Sequence, residues 1–351
     1  MKILFVSGRE ISYSRNSIIL NILKENHEVR VCVTKFKSYP IRILTTFFKL
    51  FYYNLRYKKD MIFVGFFGQP FVPFIRLFSS KRIIFDAYIS MYNTLVEDRK
   101  LIKNYFLKKF IKYYEKLSCL SANLILMDTN QNIYYLKRLC KLKDSDFRRL
   151  LVGVDDTVFK KRSFLVKTKT CNIYFCGSFI PLHGVEYIIG AAKILRDENI
   201  HFHIIGKGQT YNLCRGIVKK SNLNNVTFYG LQKFEDLPSL LSKADIGLGI
   251  FGDTLKTKII NPNKVYQLAA LSVPIISART PAIEEVFTHK KDIYLCEPAN
   301  SESLARAIMD LKDDTKLKQK LSLNVYNLCH STFSIQALSK TLNSFLVNKN
   351  K

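Results

Sequence analysis

The stretch Cys176-Gly-Ser-Phe-Ile-Pro-Leu-His-Gly184 turns an apolar strand into a helix through two glycines and a proline, a junction suited to holding an anion. Val185, Ile188, Ile189, Ala192 and Leu195 recur behind it at helical spacing, so the helix opens near Gly184. Its first N–H groups lack internal partners, and with the positive end of the helix dipole they favour a phosphate or carboxylate. Most such turns bind nothing, so the reading needs companions. One is Phe251-Gly-Asp-Thr-Leu-Lys-Thr-Lys258 followed by Asn261-Pro-Asn-Lys264, which brings Lys258 and Lys264 to the start of a helix at Val265 to Leu271. Gly206-Lys-Gly208 and Gly230 each follow a strand and let backbone approach a flat or charged ligand closely, as ordinary loop glycines also do. Gly8 closes the first strand in Ser7-Gly-Arg-Glu-Ile-Ser-Tyr-Ser-Arg15, which is not G-x-G-x-x-G, and this disfavours NAD. His201 and His203 share a strand face without a third ligand nearby, and His27 reads as structural, so no metal site is expected.

The elements that must position these residues alternate between strand and helix along the whole chain. In the first half, strands are expected at Ile3 to Val6, Val29 to Val33, Met61 to Val64, Arg82 to Phe85 and Leu124 to Met127. Helices are expected at Arg15 to Lys24, Ile41 to Tyr57, Glu97 to Leu120 and Gln131 to Cys140. A turn-rich Gly153-Val-Asp-Asp and a lysine-rich piece from Lys160 to Thr170 read as the linker to a second alternating series. Its strands fall near Asn172 to Cys176, His201 to Ile205, Val226 to Tyr229, Ile246 to Ile250, Ile275 to Ser277 and Ile293 to Cys296. This is an α/β chain of two doubly wound, Rossmann-like domains. In such sheets ligands sit beyond the carboxyl ends of the strands, which places the expected site in the cleft between the domains.

Composition limits the classes. With 351 residues and 48% hydrophobic composition, the chain is too long for one core and suits two domains. The longest apolar run, Met61 to Ile75, is interrupted by Gln69, Pro70 and Pro73, and Met1 to Gly8 is too short for a secretory segment, so a cytoplasmic protein is expected. Eight cysteines without a Cys-x-x-Cys pair read as reduced core residues. A formal charge of +27, from 55 basic and 28 acidic residues, seeks polyanions, among them anionic lipid, nucleic acid and phosphorylated substrates. Nucleic acid has no supporting motif, and the lysine bias of an AT-rich genome is the plain alternative explanation.

Taken together, the segments resemble the retaining GT-B glycosyltransferases of family 4. The resemblance spans nearly the whole chain and rests on Gly153-Val-Asp-Asp-Thr-Val-Phe159, Gly177 to Gly184 with its helix, Phe202-His-Ile-Ile-Gly-Lys-Gly208, and Val226-Thr-Phe-Tyr-Gly230. It continues through Leu237 to Asp245, Pro262-Asn-Lys-Val-Tyr-Gln-Leu-Ala-Ala270, Val273-Pro-Ile-Ile276, and Glu284 or Glu285. It implies an acceptor-binding domain over residues 1–160, a nucleotide-sugar-binding domain over 161–332, and a C-terminal helix within 333–351 returning to the first domain. The donor is expected to be a nucleotide sugar such as a UDP- or GDP-sugar, used without a metal. Four positions depart from the family: its Arg and Lys beside the two glycines match Ser178 and His183, and its pair of glutamates matches Ile259 and Gln267. Gln267 can still bond a ribose hydroxyl, whereas Ile259 cannot. These departures leave open a related binding protein with weakened turnover.

The chemistry implied is departure of a nucleoside diphosphate, which needs positive charge aimed at the leaving phosphate. Lys264, Lys258, His183 and the helix start at Gly184 are the candidates to supply it. By resemblance, Gly206, Gly208 and the backbone at Leu231 lie near the nucleotide. Glu284 and Glu285 are sugar- or phosphate-side candidates, although the helix dipole alone also favours carboxylates there. The acceptor side is the loop at Gly8, Arg9 and Arg15 with Asp86, which can orient a hydroxyl or cap the following turn. Arg42, Lys49 and Arg56 recur every seven residues on a helix rich in aromatics, and Lys108, Lys112 and Lys116 repeat the idea. Such faces dock on anionic membranes, so the expected partner is a glycan or lipid-linked acceptor at the inner membrane face. A helix packed on the sheet with a solvated basic edge is the alternative. Oligomeric state is not legible.

Overall fold

The protein is described by a computed structural model covering residues 1–34, 36, 38–162 and 169–347. Its contacts divide it into two units: one is Met1–Leu151 with the chain from Leu338 onward, the other Val152–Ala337. The chain passes between them at Leu151, earlier than the turn-rich boundary suggested. Residues 163–168 of the lysine-rich linker piece lie outside the described residues.

The first unit runs β1 (Lys2–Val6), α1 (Ser14–Asn26), β2 (Glu28–Cys32), α2 (Tyr39–Arg56), β3 (Met61–Val64), α3 (Val72–Phe78), β4 (Arg82–Asp86), α4 (Tyr105–Ser121), β5 (Leu124–Met127), α5 (Asn130–Cys140) and β6 (Phe147–Arg149). The strands form one parallel sheet in the order β2-β1-β3-β4-β5-β6. Ile3 to Val6, Met61 to Val64 and Leu124 to Met127 are buried on both faces, which explains why they read as unbroken apolar runs. Right-handed crossovers place α2 to α5 on one face, because each step after β2 moves the same way across the sheet. Leu50, Val72, Cys119 and Leu136, one from each of these helices, accordingly share one core.

The second unit runs β7 (Cys171–Cys176), α6 (Val185–Ile194), β8 (Ile200–Ile205), α7 (Tyr211–Lys220), β9 (Val226–Gly230), α8 (Leu237–Leu241), β10 (Ile246–Leu248), α9 (Leu255–Ile259), α10 (Asn263–Ala270), β11 (Ile275–Ala278), α11 (Pro281–Glu284), β12 (Tyr294–Cys296), α12 (Ser301–Asp313) and α13 (Thr315–Leu328). Its parallel sheet has the order β12-β11-β10-β7-β8-β9, so the direction of winding reverses between β7 and β10. The last helix, α14 (Ile335–Val347), begins in this unit and ends in the first, where Arg82 donates to the carbonyls of Phe345 and Leu346.

The structure corrects the sequence reading of the first unit at three points. The helix expected from Glu97 begins instead at Tyr105, because Lys100 adopts a left-handed φ of 53° and Asn104 caps the new start through its side chain. Asn93 to Asp98 form a separate turn of π-helix, in which Glu97 accepts from Asn93 and Tyr135. The strand expected at Met61 to Val64 is found there, and the rest of the run to Ile75 holds the start of α3, with Pro73 in the first helical turn, where its missing N–H costs nothing. The edge strand β6, three residues long, had no pattern to reveal it.

The third correction concerns the basic stripe of α2. Arg42 is buried, donating to Glu10 and to the Phe36 carbonyl, and Lys49 donates to the Val33 carbonyl at 3.2 Å. Two of the three cations thus turn into the fold and only Arg56, in the last turn, is exposed, which leaves the outward face of α2 mostly apolar.

Candidate functional site

The reversal of winding between β7 and β10 opens a crevice at the carboxyl ends of these strands, the place where doubly wound sheets take ligands. The loop after β7 is fixed from both sides. Towards β8, the Gly177 N–H donates to Ile205 at 3.0 Å and the Phe179 N–H to Lys207 at 3.2 Å. Towards β10, the Phe251 N–H donates to the His183 carbonyl at 3.0 Å and the Gly252 N–H to Leu182 at 3.2 Å.

Glycines make this stitching possible. Gly206 sits at φ 127°, and a Cβ there would lie 2.0 Å from the Gly177 carbonyl oxygen. Gly184 sits at φ 59°, and a Cβ would come within 2.5 Å of both the Phe251 carbonyl carbon and the Gly252 nitrogen. A Cβ on Gly208 would likewise meet Phe179 backbone. Of the two readings open for Gly206 and Gly208, the structure supplies the loop-glycine reason: these positions admit neighbouring backbone. Gly8 follows the same rule in the first unit, where a Cβ would lie 2.0 Å from the Phe67 carbonyl oxygen.

Gly177 differs, because its space is taken by a charge. A Cβ there would lie 2.5 Å from Lys264 Nζ and 2.9 Å from His183 Cε1. Lys264 stands in the first turn of α10, only 5% exposed, with Nζ 4.0 Å from the centroid of the Phe175 ring. Among the described residues Nζ has no hydrogen-bond partner. Burial lowers its pKa from 10.5 to about 7, a fall that the neighbouring Cys176 partly offsets. An ammonium held against the π-face of one ring, without an oxygen to receive its protons, is a group lacking its partner.

His183 joins it. Its Nδ1 bonds the Ser178 carbonyl, which can only accept, so Nδ1 carries hydrogen, and its ring stands edge-on to Phe175 at 5.8 Å. Ser178 itself is exposed. Gln267 lies one turn after Lys264 on the same face of α10 and is half-buried, with no side-chain hydrogen bond among the described residues.

Other candidates stand apart from this group. Lys258, on α9, pairs with Asp253 at 2.8 Å, and both side chains are about half exposed, at 49% and 53%. Ile259 is buried. Glu284 pairs with Arg279 at 2.5 Å in an exposed position, and Glu285 is half-buried. Leu231 is exposed, and Gly230 sits at φ 68° beside the Lys207 side chain.

In the first unit the structure corrects the role of Asp86. It is fully buried, and both oxygens receive hydrogen bonds from Arg15, from Nε at 3.0 Å and from Nη2 at 2.8 Å. Arg15 Nη1 also donates to the Leu150 and Leu151 carbonyls, at 2.9 and 2.6 Å. This pair ties α1 and the end of β4 to the segment leaving β6, and Asp86 is not open to an incoming hydroxyl. Sequence reasoning missed both this pairing and the Phe175 platform. The pairing joins positions 71 residues apart, and Phe175 is indistinguishable in sequence from any other apolar strand residue.

With this geometry in place, comparison with known proteins is informative. A family model described as Glycosyl transferases group 1 matches residues 170–314, which contain the whole Lys264 cluster. An uncharacterized glycosyltransferase of Methanocaldococcus jannaschii is 25% identical over 157 residues, 43% of this chain and 40% of that protein's length. The chain thus spans less than half of this curated relative. Sucrose-phosphate synthase of Thermosynechococcus elongatus superimposes with a TM-score of 0.78 at 13% identity, covering 98% of each chain. Anabaena HepE, in a crystal structure with UDP, gives 0.73 at 13% identity, covering 99% of this chain and 100% of its own. The fold is GT-B. Its two Rossmann-like domains, each with a six-stranded parallel sheet, are the units described above. Among the described residues no group of three or more His, Cys, Asp or Glu could hold a metal ion.

Proposed function

We propose that the protein is a glycosyltransferase that moves a sugar from a nucleoside-diphosphate donor to a glycan or lipid-linked acceptor, with retention of configuration and without a metal. The observation that carries this reading is the buried Lys264 ammonium, unpartnered beside Gly177 at the crevice between β7 and β10. A diphosphate entering there supplies the oxygens that Nζ lacks. Charge that develops on the leaving β-phosphate strengthens the contact further.

The N-terminus of α10, on which Lys264 stands, adds its dipole at the same point. His183 lies beside Lys264 against the same face of Gly177 and in this reading takes the place of a permanent cation, while Gln267, one turn further along α10, serves a ribose hydroxyl. The UDP complex of HepE supports a nucleoside-diphosphate ligand for this fold. Retention needs no pair of carboxylates if the departing phosphate accepts the acceptor's proton on the face it leaves. Asp86, closed off by Arg15, is not required by this scheme.

The test is binding of UDP and GDP by calorimetry, followed by transfer assays with a panel of nucleotide sugars in the presence of EDTA. One of the two nucleotides should bind, and Lys264→Ala should lower the transfer rate roughly 30- to 1000-fold, equivalent to about 2–4 kcal/mol in the transition state. Failure of both nucleotides to bind, or a Lys264→Ala rate within about threefold of wild type, refutes the assignment. Nucleotide binding without transfer from any donor supports instead a binding protein derived from the same fold.

A further inference from the structure

The first unit carries an apolar surface that donor chemistry does not use. Along α2, Ile41, Leu44, Phe48 and Leu55 point outward at 49%, 59%, 70% and 70% exposure, a spacing of three and four residues that lines one helix face. The surface does not end there. Phe51 of α2 meets Phe78 of α3 edge-on at 6.4 Å, and α3 adds Leu77 at 79% exposure. Helix α4 packs beside α3, and its first turns expose Phe106 at 78% and Phe110 at 58%. All three helices cover the same face of one sheet, so these side chains share a single layer.

The charge within this layer is of one sign. Arg56, Lys81, Lys103, Lys109 and Lys112 are exposed in it, and residues 39–58, 72–82 and 99–114 contain no Asp or Glu. The two acids that flank the last of these stretches, Asp98 and Glu115, are buried, and Glu115 accepts from Ser90 and from the N–H groups of Met91 and Tyr92. Two copies meeting through this face would oppose like charges across a symmetric contact, with no carboxylate to answer them. A nucleic acid would satisfy the cations but would cover Ile41, Leu44, Leu55 and Leu77 with phosphate and sugar. An anionic bilayer answers both features. Its acyl boundary takes the apolar side chains and its headgroups take the lysines.

We propose that the outward faces of α2, α3 and α4 dock the protein on an anionic lipid bilayer. The contact is peripheral: among the described residues no helix is long and apolar enough to cross a membrane. It lies within the first unit and is independent of the donor reading.

The experiment is cosedimentation of the full chain with vesicles of phosphatidylcholine, alone or mixed with phosphatidylglycerol, with sedimentation velocity run alongside. Wild type should bind the mixed vesicles and not the neutral ones. Phe48→Glu with Leu55→Glu, and separately Lys103→Glu with Lys109→Glu and Lys112→Glu, should each weaken binding by at least about tenfold. All five positions are exposed, so both variants should melt with the wild type. Arg42→Glu instead breaks the Glu10 contact and should lower the melting temperature. Equal vesicle binding by wild type and the two surface variants overturns the proposal. So does a wild-type dimer that Phe48→Glu with Leu55→Glu dissociates while vesicles are ignored, which assigns the face to a second copy. Salt-sensitive binding of single-stranded RNA that the same variants abolish, again without vesicle binding, assigns it to nucleic acid.

Discussion

Replacing Lys264 with Met separates the cost of burying this amine from the use made of it. Nζ lies over Phe175 with no hydrogen-bond partner among the described residues, and burial lowers its pKa to about 7. In the unfolded chain the amine titrates at its ordinary 10.5. Between these two values the unfolded state holds a proton that the folded state has released, so stability rises with pH across that window. Below about pH 7 both states are protonated and the full penalty applies. At about 1.4 kcal/mol per pH unit, the interval bounds that penalty near 5 kcal/mol. Met keeps an unbranched apolar stem and drops the charge. Lys264→Met should therefore be more stable than wild type by about 2–4 kcal/mol near pH 6.5, a rise in melting temperature of roughly 5–10 °C, with the gap closing towards about pH 10. UDP or GDP binding should be lost at the same time. The assay is thermal and urea unfolding across this pH range, with nucleotide calorimetry on the same samples. A Lys264→Met protein less stable than wild type throughout, or a stability gap indifferent to pH, refutes the electrostatic account. Undiminished nucleotide binding refutes the functional one.

Two further outcomes follow from the geometry. Arg15→Met leaves the fully buried Asp86 without its partner and should cost about 3–5 kcal/mol in urea unfolding, while adding Asp86→Leu should recover most of the loss. Gly206→Ala forces a Cβ against the Gly177 carbonyl at a φ of 127°; it should destabilise the second unit by about 1–3 kcal/mol and weaken nucleotide binding, whereas Gly216→Ala, which meets nothing within 4 Å, should do neither.

Much of the fold was legible because parallel strands buried on both faces leave a direct mark in sequence. Met61 to Val64 and Leu124 to Met127 were bounded to the residue, since a short apolar run ended by polar or turn residues has few other readings. The same logic exposed the glycine-rich loops, and the order of motifs pointed to GT-B. Elements held by tertiary contact alone were not legible. Strand β6 exists because Ile125 to Met127 offer it an edge, and the break before α4 rests on one left-handed lysine and an asparagine cap.

The site divides in the same way. Sequence by itself determined that Lys264 stands at a helix start soon after a strand-end loop, because spacing along a helix is a local property. Only the tertiary structure decided that its amine is buried over Phe175 beside Gly177, since that depends on a strand from some ninety residues earlier in the chain. Period likewise showed that Arg42, Lys49 and Arg56 share one face of α2 but not which way that face turns. Arg42 turns inward because Glu10 and the Phe36 carbonyl satisfy it there, and this leaves Ile41, Leu44, Phe48 and Leu55 facing outward. A helical repeat fixes neighbours on the same element; the partners on other elements, and hence the direction of each face, are set by where the sheet and its loops place them.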